Sequence, residues 1–391
     1  MNVKKTEYLK DILKCVRCGG CKALCPTYDE ALSEGMGARG RIQLTKALVS
    51  GEIKPSDLLN ERIFSCILCG ACASLCPLGV DVPAAICHAR ALLEKSDKKR
   101  RYIRFLSKFL TKWPDLSFKL LSISQHILLP VLKRKGLMPF RPELPDTPFR
   151  PAEQVYKVSR KRGRIAIFAG CSTNYLFPYL GEALINVLQN LGYEVVIPKG
   201  ELCCGSPLRS LGLEEDAIVL AKRNYRIFSK LKVEAILSLC PSCTFTLKYD
   251  YAKTINMGLE NAMDISEFFH NKVETKEAVH KSAVFHDPCH LYHGLGVSEE
   301  PRNIIRKIGV ELIDSGYSGC CGFGGVFCFS NRGISENLLQ KCSAKLINTD
   351  AEAIVTSCPG CMLYLSSYIT DRPVIHLIEL IEEAYCKKPS V

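Results

Sequence analysis

The stretch CVRCGGCKALCP occupies residues 15–26, and its spacing returns at residues 66–77 as CILCGACASLCP. Each stretch has the form CxxCxxCxxxCP, which places four cysteine thiolates at the spacing of a 4Fe-4S ligand set. In two-cluster ferredoxins, the fourth cysteine of each run ligates the other cluster. We therefore expect two cubane 4Fe-4S clusters with crossed ligands, namely Cys15, Cys18, Cys21 and Cys76 for one and Cys66, Cys69, Cys72 and Cys25 for the other.

The segment between the two runs favours helices. Forty residues separate Cys25 from Cys66, which is more than a compact hairpin ferredoxin needs. Residues 41–53 and 55–66 carry apolar residues at helical spacing. Pro26 and Pro77 keep a helix from continuing over each cluster. We predict an all-helical two-cluster ferredoxin domain over residues 1–95.

Residues 96–160 contain no cysteine and form a basic linker. The pattern predicts amphipathic helices broken at Pro114 and Pro130, followed by a proline-rich extended stretch. Two roles stay open for these helices. One is to strap across the other domains. The other is to lie on a membrane surface, because Trp113, several phenylalanines and flanking basic residues suit a bilayer interface.

An internal repeat fills residues 161–391. Cys171 and Cys289 are 118 residues apart, and the same step relates Cys240 to Cys358. Each copy has one cysteine, then Cys-Cys-Gly, then CxxC, and apolar strand-like runs alternate with helical runs. The pattern indicates a duplicated α/β domain, over residues 161–278 and 279–391, with cysteines at the carboxyl ends of the strands, where open α/β sheets place ligands.

Composition limits the class of protein. The chain has 391 residues, 22 cysteines and a formal charge of +12. Thiolate-ligated clusters are anionic and offset much of that charge, so a nucleic-acid-binding role is not favoured. No secretory signal and no uninterrupted apolar run of membrane-spanning length is evident, so we expect a cytoplasmic location, or a peripheral one on the inner face of the membrane. In a reducing compartment such cysteines indicate metal or redox chemistry.

Other uses of the cysteines are open at this point. Zinc bound at the CxxC pairs gives no reason for the adjacent pairs Cys203-Cys204 and Cys320-Cys321. Cysteine-rich domains without a cluster, and a metal-stabilised scaffold without redox function, are further alternatives. The remaining cysteines Cys87, Cys328, Cys342 and Cys386 are interpreted as packing residues or surface thiols.

The complete arrangement resembles the CCG-domain iron–sulfur subunit family, which includes the glycolate and D-lactate oxidase iron–sulfur subunits and the fused heterodisulfide reductase catalytic subunit. The likeness rests on the two CxxCxxCxxxCP runs, the two CCG repeats, Arg39-Gly40-Arg41, and Asp287-Pro288-Cys289-His290. It implies two further 4Fe-4S clusters of a non-cubane type. Their implied ligands are Cys171, Cys203, Cys204, Cys240 and Cys243 in the first repeat, and Cys289, Cys320, Cys321, Cys358 and Cys361 in the second.

The resemblance also implies an oxidoreductase subunit with partners. No GxGxxG opens a βαβ unit that would bind FAD or NAD, so dehydrogenation would belong to a flavoprotein dehydrogenase or electron-transferring flavoprotein. A membrane quinone-reactive subunit is a further candidate partner. The leading hypothesis is electron transfer between the ferredoxin and CCG clusters, and the alternative is a catalyst whose CCG clusters cleave a disulfide. His290, next to Cys289, is the candidate proton donor for that alternative, ahead of His286 and His293.

Overall fold

The fold is given by a computed structural model that describes residues 12–134, 139–140, 143–149, 154–274 and 281–386. A helical part comes first, two long helices follow, and two α/β units complete the chain. The predicted fold class, a helical ferredoxin domain followed by duplicated α/β domains, is confirmed.

The N-terminal part contains no strand among its described residues. Its helices are Pro26–Ala31, Ala38–Ser50, Asp57–Phe64, Ala71–Ser74 and Val82–Leu93, with 3-10 turns at Gly20–Lys22 and Glu34–Met36. Ser56 and Asp81 cap two of these helices by accepting hydrogen bonds from the amides of Leu59 and Ala84. The core between the helices includes Ile42, Ile63, Ile86 and Leu93, all at or near complete burial.

A buried arginine ties the two cysteine runs of this part together. Arg41 donates from Nε to the Arg62 carbonyl at 2.7 Å, and its two terminal nitrogens reach the Thr27 and Ser65 hydroxyls, each at 2.9 Å. Thr27 follows Cys25 by two residues and Ser65 precedes Cys66. The guanidinium therefore holds the end of one run against the start of the other.

Two helices, Arg101–Lys112 and Pro114–Arg134, join the ferredoxin part to the α/β units. Pro114 starts the second helix, as a proline at the first helical position can. The predicted break at Pro130 is wrong, because the helix continues through it to Arg134. Interior prolines kink or weaken a helix, but one lost hydrogen bond does not always end it. The predicted extended stretch falls partly on residues 135–138, 141–142 and 150–153, which lie outside the described residues.

The first α/β unit is built on a five-stranded sheet of order β1-β3-β2-β4-β5. Its strands are β1 Val155–Tyr156, β2 Gly163–Ile167, β3 Tyr193–Val196, β4 Ala235–Ser238 and β5 Ala262–Asp264. β1 pairs with β3 in antiparallel fashion, and the other pairs are parallel. The sheet thus takes in Val155–Tyr156, which precede the predicted domain start at residue 161.

The second unit has a four-stranded parallel sheet of order β7-β6-β8-β9. Its strands are β6 Ser282–His286, β7 Glu311–Ile313, β8 Ala353–Thr356 and β9 Val374–His376. The parallel strands of the first sheet, in the order β3-β2-β4-β5, follow the same winding, so the duplication is visible in the topology.

Helices cover the sheets in corresponding places. In the first unit they are Gly170–Tyr175, Pro178–Asn190, Ser206–Ser210, Glu214–Phe228, Pro241–Phe245, Tyr251–Ile255 and Ile265–Phe269, with a π-helical turn at Thr246–Asp250. In the second they are Glu299–Lys307, Phe327–Ser330, Arg332–Ile347, Pro359–Ser366 and Leu377–Cys386, with a π-helical turn at His290–Leu295.

The two α/β units share one apolar core. Leu184 and Leu188 of the first unit and Leu377 and Ile381 of the second are fully buried members of the same cluster. The helices Pro178–Asn190 and Leu377–Cys386 pack directly on each other. The two repeats therefore pack directly against each other. This packing fixes the distance between their cysteines.

Candidate metal centres

The first group of sulfurs, here ferredoxin site 1, lines one open cavity. The residues that we assigned to one cluster all lie on its wall: Cys15, Cys18, Cys21 and Cys76. Cys76 comes from the second run, so the structure brings the four members of the predicted crossed set together, and Cys72, assigned to the other cluster, lies on the same wall. Burial, and next the charges of Cys15 and Cys18, raise the pKa of Cys21.

The second group, ferredoxin site 2, gathers Cys66, Cys69 and Cys72 with Cys25 of the first run. Burial, and then the charges of Cys69, Cys66 and Cys25, hold the pKa of Cys72 well above its usual range. Crowded buried thiols resist ionisation, and a bound cation removes that penalty because it binds the thiolate. The donor set therefore fits an iron–sulfur cluster.

The backbone of both runs has the same unusual shape. Arg17 and Leu68, which are 51 residues apart, both adopt positive φ, at 62° and 60°. Gly19 and Gly70, two residues later, do the same at 87° and 82°. A non-glycine residue in this region carries strain of about 1 kcal/mol or more. The repeated strain shows that both loops are held in one conformation, which wraps the chain around the sulfurs.

The first CCG site contains Cys171, Cys203, Cys204, Cys240 and Cys243. The sulfurs of Cys204 and Cys243 are 3.4 Å apart. A hydrogen bond with Cys203, and then burial, hold the pKa of Cys171 well above its usual range. Cys171 follows β2 and Cys240 follows β4, so both predicted ligands lie at the carboxyl ends of neighbouring parallel strands.

The second CCG site repeats this arrangement with Cys289, Cys320, Cys321, Cys358 and Cys361. The sulfurs of Cys321 and Cys361 are 3.3 Å apart. The Gly322 amide donates a hydrogen bond to the Cys320 sulfur at 3.4 Å. Gly322 has φ of 86°, and a Cβ there would overlap the Ser335 carbonyl, so only glycine fits this approach.

Sulfurs of neighbouring sites lie close to one another. After burial, the charge of Cys320 is the largest cause that raises the pKa of Cys69, so ferredoxin site 2 adjoins the second CCG site. Hydrogen bonds with Cys243 and Cys358 lower the pKa of Cys240, so the two CCG sites also meet. Cys240 and Cys358 hold corresponding places in the two repeats. The described residues therefore form a continuous series of four sulfur-lined sites.

Histidines lie at the junctions between sites. The Nδ1 atom of His290 is 3.2 Å from the Ser242 hydroxyl, and Ser242 lies between Cys240 and Cys243 of the other repeat. The same nitrogen is 3.7 Å from the Cys289 sulfur. His293 bonds the Ser74 hydroxyl at 3.1 Å and so joins the ferredoxin part to the second CCG domain. Burial lowers the pKa of His290 and His293, which favours their neutral forms.

A third histidine lies closer to the sulfurs than its place in the sequence suggested. His286 is inside the second CCG site, where one ring nitrogen and the sulfurs of Cys321 and Cys361 all fall within 4.8 Å of one another. Its Nδ1 atom is 3.7 Å from the Cys342 sulfur, and its buried Nε2 atom has no hydrogen-bond partner among the described residues. Cys342, interpreted from the sequence as a packing residue, is thus the partner of a histidine next to the predicted ligands. The one available signal was the position of His286 three residues before Cys289.

Comparison with known proteins now gives the family. The profile of the cysteine-rich domain named CCG matches residues 165–248 and 283–366, and the profile of the 4Fe-4S dicluster domain matches residues 11–80. The chain belongs to the CCG-domain iron–sulfur family. The predicted resemblance is confirmed, and the dicluster match supports iron–sulfur clusters as the cofactors of this chain.

Several relatives are similar over almost the whole chain. The glycolate oxidase iron–sulfur subunit of Escherichia coli is 28% identical, across 99% of this chain and 97% of that protein. A fumarate reductase (CoM/CoB) subunit of Methanothermobacter marburgensis is also 28% identical, across 98% of this chain and 75% of that protein. Among solved structures, a hypothetical protein from Helicobacter pylori covers 99% of this chain and 74% of its own, with a TM-score of 0.52 and 10% identity, which supports the fold alone.

One result bears on the membrane. Within the part of the chain that the structure describes, no helix combines the length and the apolar character that crossing a bilayer requires.

Proposed function

We propose that this protein is the iron–sulfur electron-transfer subunit of an oxidoreductase complex, either a flavoprotein 2-hydroxyacid oxidase or a heterodisulfide-reductase-like assembly. The supporting observation is the unbroken series of four sulfur-lined sites. Electrons would pass between ferredoxin site 1, ferredoxin site 2, the second CCG site and the first CCG site, in that order or its reverse. The relatives named as glycolate oxidase iron–sulfur subunits agree with this class.

The ligands are proposed as predicted. Each ferredoxin site would hold a cubane 4Fe-4S cluster on four cysteines, and each CCG site a non-cubane cluster on five. Bound clusters supply one-electron redox chemistry, while the chain supplies thiolates, hydrogen bonds to sulfur and exclusion of water. Fully loaded protein would then contain about sixteen irons per chain, if every cluster is 4Fe-4S.

The partner proposed for the oxidation step is a flavoprotein dehydrogenase or an electron-transferring flavoprotein. Support comes from the sequence, in which no GxGxxG opens a βαβ unit, and from the naming of relatives as lactate utilization protein and glycolate oxidase subunits. A membrane quinone-reactive subunit fits the same scheme as the electron acceptor.

This proposal is tested by purification from the native host under anaerobic conditions with a tag on this chain. A flavoprotein should be recovered with it, and the complex should oxidise glycolate or lactate. The chain separated from its partner should lose that activity, and adding the partner back should restore it. A lone chain that carries its own flavin and oxidises the hydroxyacid would contradict the proposal.

A second candidate function is disulfide reduction at the CCG pair. The observation that favours it is the meeting of Cys240 and Cys358, with the His290 ring beside Ser242 and Cys289. Cleavage of a disulfide to two thiols takes two electrons and two protons. One electron would come from each CCG site. His290 would relay one proton from solvent to a departing thiolate, and solvent would supply the proton of the second thiol.

The second function is tested with an artificial low-potential donor and a panel of low-molecular-weight disulfides. Wild type should form two thiols per disulfide, and Cys358→Ser should not. His290→Ala should slow thiol formation and leave electron entry into the clusters unchanged. If no disulfide is reduced while electrons still reach the CCG sites, the CCG pair conducts electrons and does not catalyse this reaction.

A further inference from the structure

The two helices of the linker have an inverted arrangement of polar and apolar residues. Helices of globular proteins normally bury their apolar side and expose their polar side. In Arg101–Lys112 and Pro114–Arg134 the side chains buried against the protein are polar ones: Arg104, Ser107, Thr111, Ser117 and Gln125. The exposed side chains include large apolar ones: Tyr102, Phe105, Leu106, Trp113, Leu116, Leu120 and Ile123. We call this exposed set the apolar face.

Specific polar contacts on the first helix fix this orientation. Arg104 donates to the Leu211 carbonyl at 3.0 Å and pairs with Asp97 at 2.7 Å. Lys108 and Lys112 both reach Asp216, at 2.8 Å and 3.1 Å. A rotation that buried Phe105 would break these bonds and leave buried charges without partners, which is costly. The outward position of the apolar residues is therefore set by the rest of the molecule.

The second helix is held in the same way. The Tyr175 hydroxyl donates to Asp115 at 2.6 Å, and its ring stacks on Phe118 with centroids 4.4 Å apart. The Gln125 side chain bonds both the amide and the carbonyl of Leu144. Trp113, between the two helices, is 58% exposed, and Phe105 and Ile123 are 71% and 72% exposed. A group of exposed aromatic and aliphatic side chains on one face marks an interaction surface.

The charges that the two helices themselves carry are almost all of one sign. Residues 98–134 contain one acidic residue, Asp115, and its carboxylate is engaged by Tyr175. Exposed basic side chains flank the face at Lys98, Lys99, Arg101 and Lys119. Interfacial helices combine such basic flanks with tryptophan, phenylalanine and leucine on the buried side, and they lie in the plane of an anionic bilayer.

We propose that the apolar face is a docking surface for an anionic lipid bilayer, on which the protein lies without crossing it. Trp113, Phe105 and Ile123 enter the boundary between headgroups and acyl chains, and the basic flank contacts the lipid headgroups. This inference depends on the two helices and not on the clusters, so it can fail while the proposed redox function stands.

The native protein carries its own reporter, because Trp113 is its only tryptophan. The holoprotein is mixed with vesicles of phosphatidylcholine alone, or of phosphatidylcholine with phosphatidylglycerol, and is followed by flotation and by tryptophan fluorescence. With the anionic vesicles we expect flotation, a blue shift of the emission, and quenching by lipids with brominated acyl chains. Raising the salt concentration should weaken the binding, because the attraction to the headgroups is screened.

Variants locate the effect on the apolar face. Phe105→Ser combined with Ile123→Ser keeps the reporter and should lower vesicle binding about tenfold or more, since two large apolar groups leave the interface. The matched control is Tyr179→Ser combined with Tyr368→Ser, which removes exposed aromatic residues from the α/β units and should bind like wild type. Lys98→Glu with Lys99→Glu should remove the preference for anionic vesicles.

Two results would overturn the proposal. One is unchanged flotation and unchanged Trp113 emission with both kinds of vesicle. The other is a shift of the Trp113 emission on adding the flavoprotein partner, or on self-association seen by size-exclusion chromatography, with no response to lipid, because the face would then be a protein interface.

Discussion

The two CCG repeats have the same strand order and the same five-cysteine pattern, yet the side chains around their sulfurs differ. In the first repeat Phe168 precedes the first cysteine by three residues, and 118 residues later His286 holds that place. Asn224 of the first repeat is likewise replaced by Cys342. The cysteines are the same in both repeats, whereas the side chains around them differ.

The Asn224 side chain organises the first site through hydrogen bonds. It bonds the amide and the carbonyl of Leu202, the Cys203 carbonyl and the Tyr251 hydroxyl, at 3.0 to 3.2 Å. Tyr251 in turn donates to the Cys204 carbonyl at 3.0 Å. These bonds hold the Cys-Cys-Gly loop by its backbone and leave the sulfurs without an added polar neighbour from this position.

In the second site one member of the corresponding pair, His286, lies beside the sulfurs of Cys321 and Cys361. Burial raises the pKa of Cys342 above its usual range, so its thiol stays protonated. Burial also lowers the pKa of His286, which keeps the imidazole neutral. A Cys342 S–H donated to Nδ1 then leaves the proton of His286 on Nε2, which is buried and has no hydrogen-bond partner among the described residues. The two repeats therefore have the same fold but different polar side chains around their sulfurs.

The largest expected difference concerns electron order. Cys321→Ser and Cys204→Ser remove equivalent cysteines from the second and the first CCG site. Because the second site lies next to ferredoxin site 2, Cys321→Ser should stop electrons from reaching the first site, while Cys204→Ser should leave reduction of the second site intact. Freeze-quenched electron paramagnetic resonance after mixing with a donor to the ferredoxin clusters measures this. The reverse result, with the first site reduced in Cys321→Ser, would contradict the order that we propose.

The second difference is in stability. Asn224→Ala leaves buried backbone groups of Leu202 and Cys203 unsatisfied and should cost about 2–3 kcal/mol. Cys342→Ala removes one buried sulfur and should cost about 1 kcal/mol. Thermal unfolding of the two cluster-loaded variants at one scan rate compares them, and the Asn224 variant should melt several degrees below the Cys342 variant. Equal melting temperatures would show that the polar network around Asn224 is not the support of the first site.

Much of this comparison could be predicted from the sequence, because cysteine spacing is a local property. The crossed ferredoxin sets, the duplication and the strand ends that carry cysteines all follow from spacing and from the rules of parallel sheets. The meeting of Cys240 with Cys358, and of Cys69 with Cys320, could not be predicted. These contacts depend on how three domains dock, and no pattern in a single sequence encodes that.

The sequence did not predict two further features, the contact between His286 and Cys342 and the buried side of the linker helices. His286 and Cys342 are 56 residues apart in sequence, and each alone is typical of a packed core residue. Their pairing is visible only when β6 and the helix Arg332–Ile347 are brought together. The linker helices were predicted as amphipathic, but the side that faces the protein could not be deduced, since their polar residues are the buried ones.

The third difference concerns reduction potential. His286→Phe gives the second repeat the residue that the first repeat has at this position. The Nε2–H of His286 has no partner among the described residues and would donate to the bound cluster. Its loss should lower the potential of the second CCG site by about 50 mV, since ~1 kcal/mol of hydrogen bonding corresponds to this shift for one electron. Spectroelectrochemical titration measures it, with iron content as the control for cluster loading. The reciprocal variant Phe168→His places a smaller, polar ring at this position and should raise the potential of the first site. An unchanged second-site potential in His286→Phe, at full iron content, would show that Nε2 does not donate to the cluster.

The smallest expected difference lies where each repeat contacts the ferredoxin domain. The first repeat pairs Lys253 with Asp81, and the second joins His293 to Ser74. Lys253 is 41% exposed, so its ion pair is well solvated and should contribute less than about 1 kcal/mol. Asp81 also caps the helix Val82–Leu93, so Lys253→Ala is the cleaner change, and Ser74→Ala is its counterpart in the other contact.

Neither variant should alter iron content or the rate of electron transfer, since the close approach of Cys69 to Cys320 rests on buried packing around Ile67 and Phe327 rather than on these polar contacts. Rising salt should weaken the Lys253 contact alone, because a hydrogen bond between neutral groups is not screened. A large fall in electron-transfer rate in Ser74→Ala would show that the polar contact, and not the apolar one, positions ferredoxin site 2 against the second CCG site.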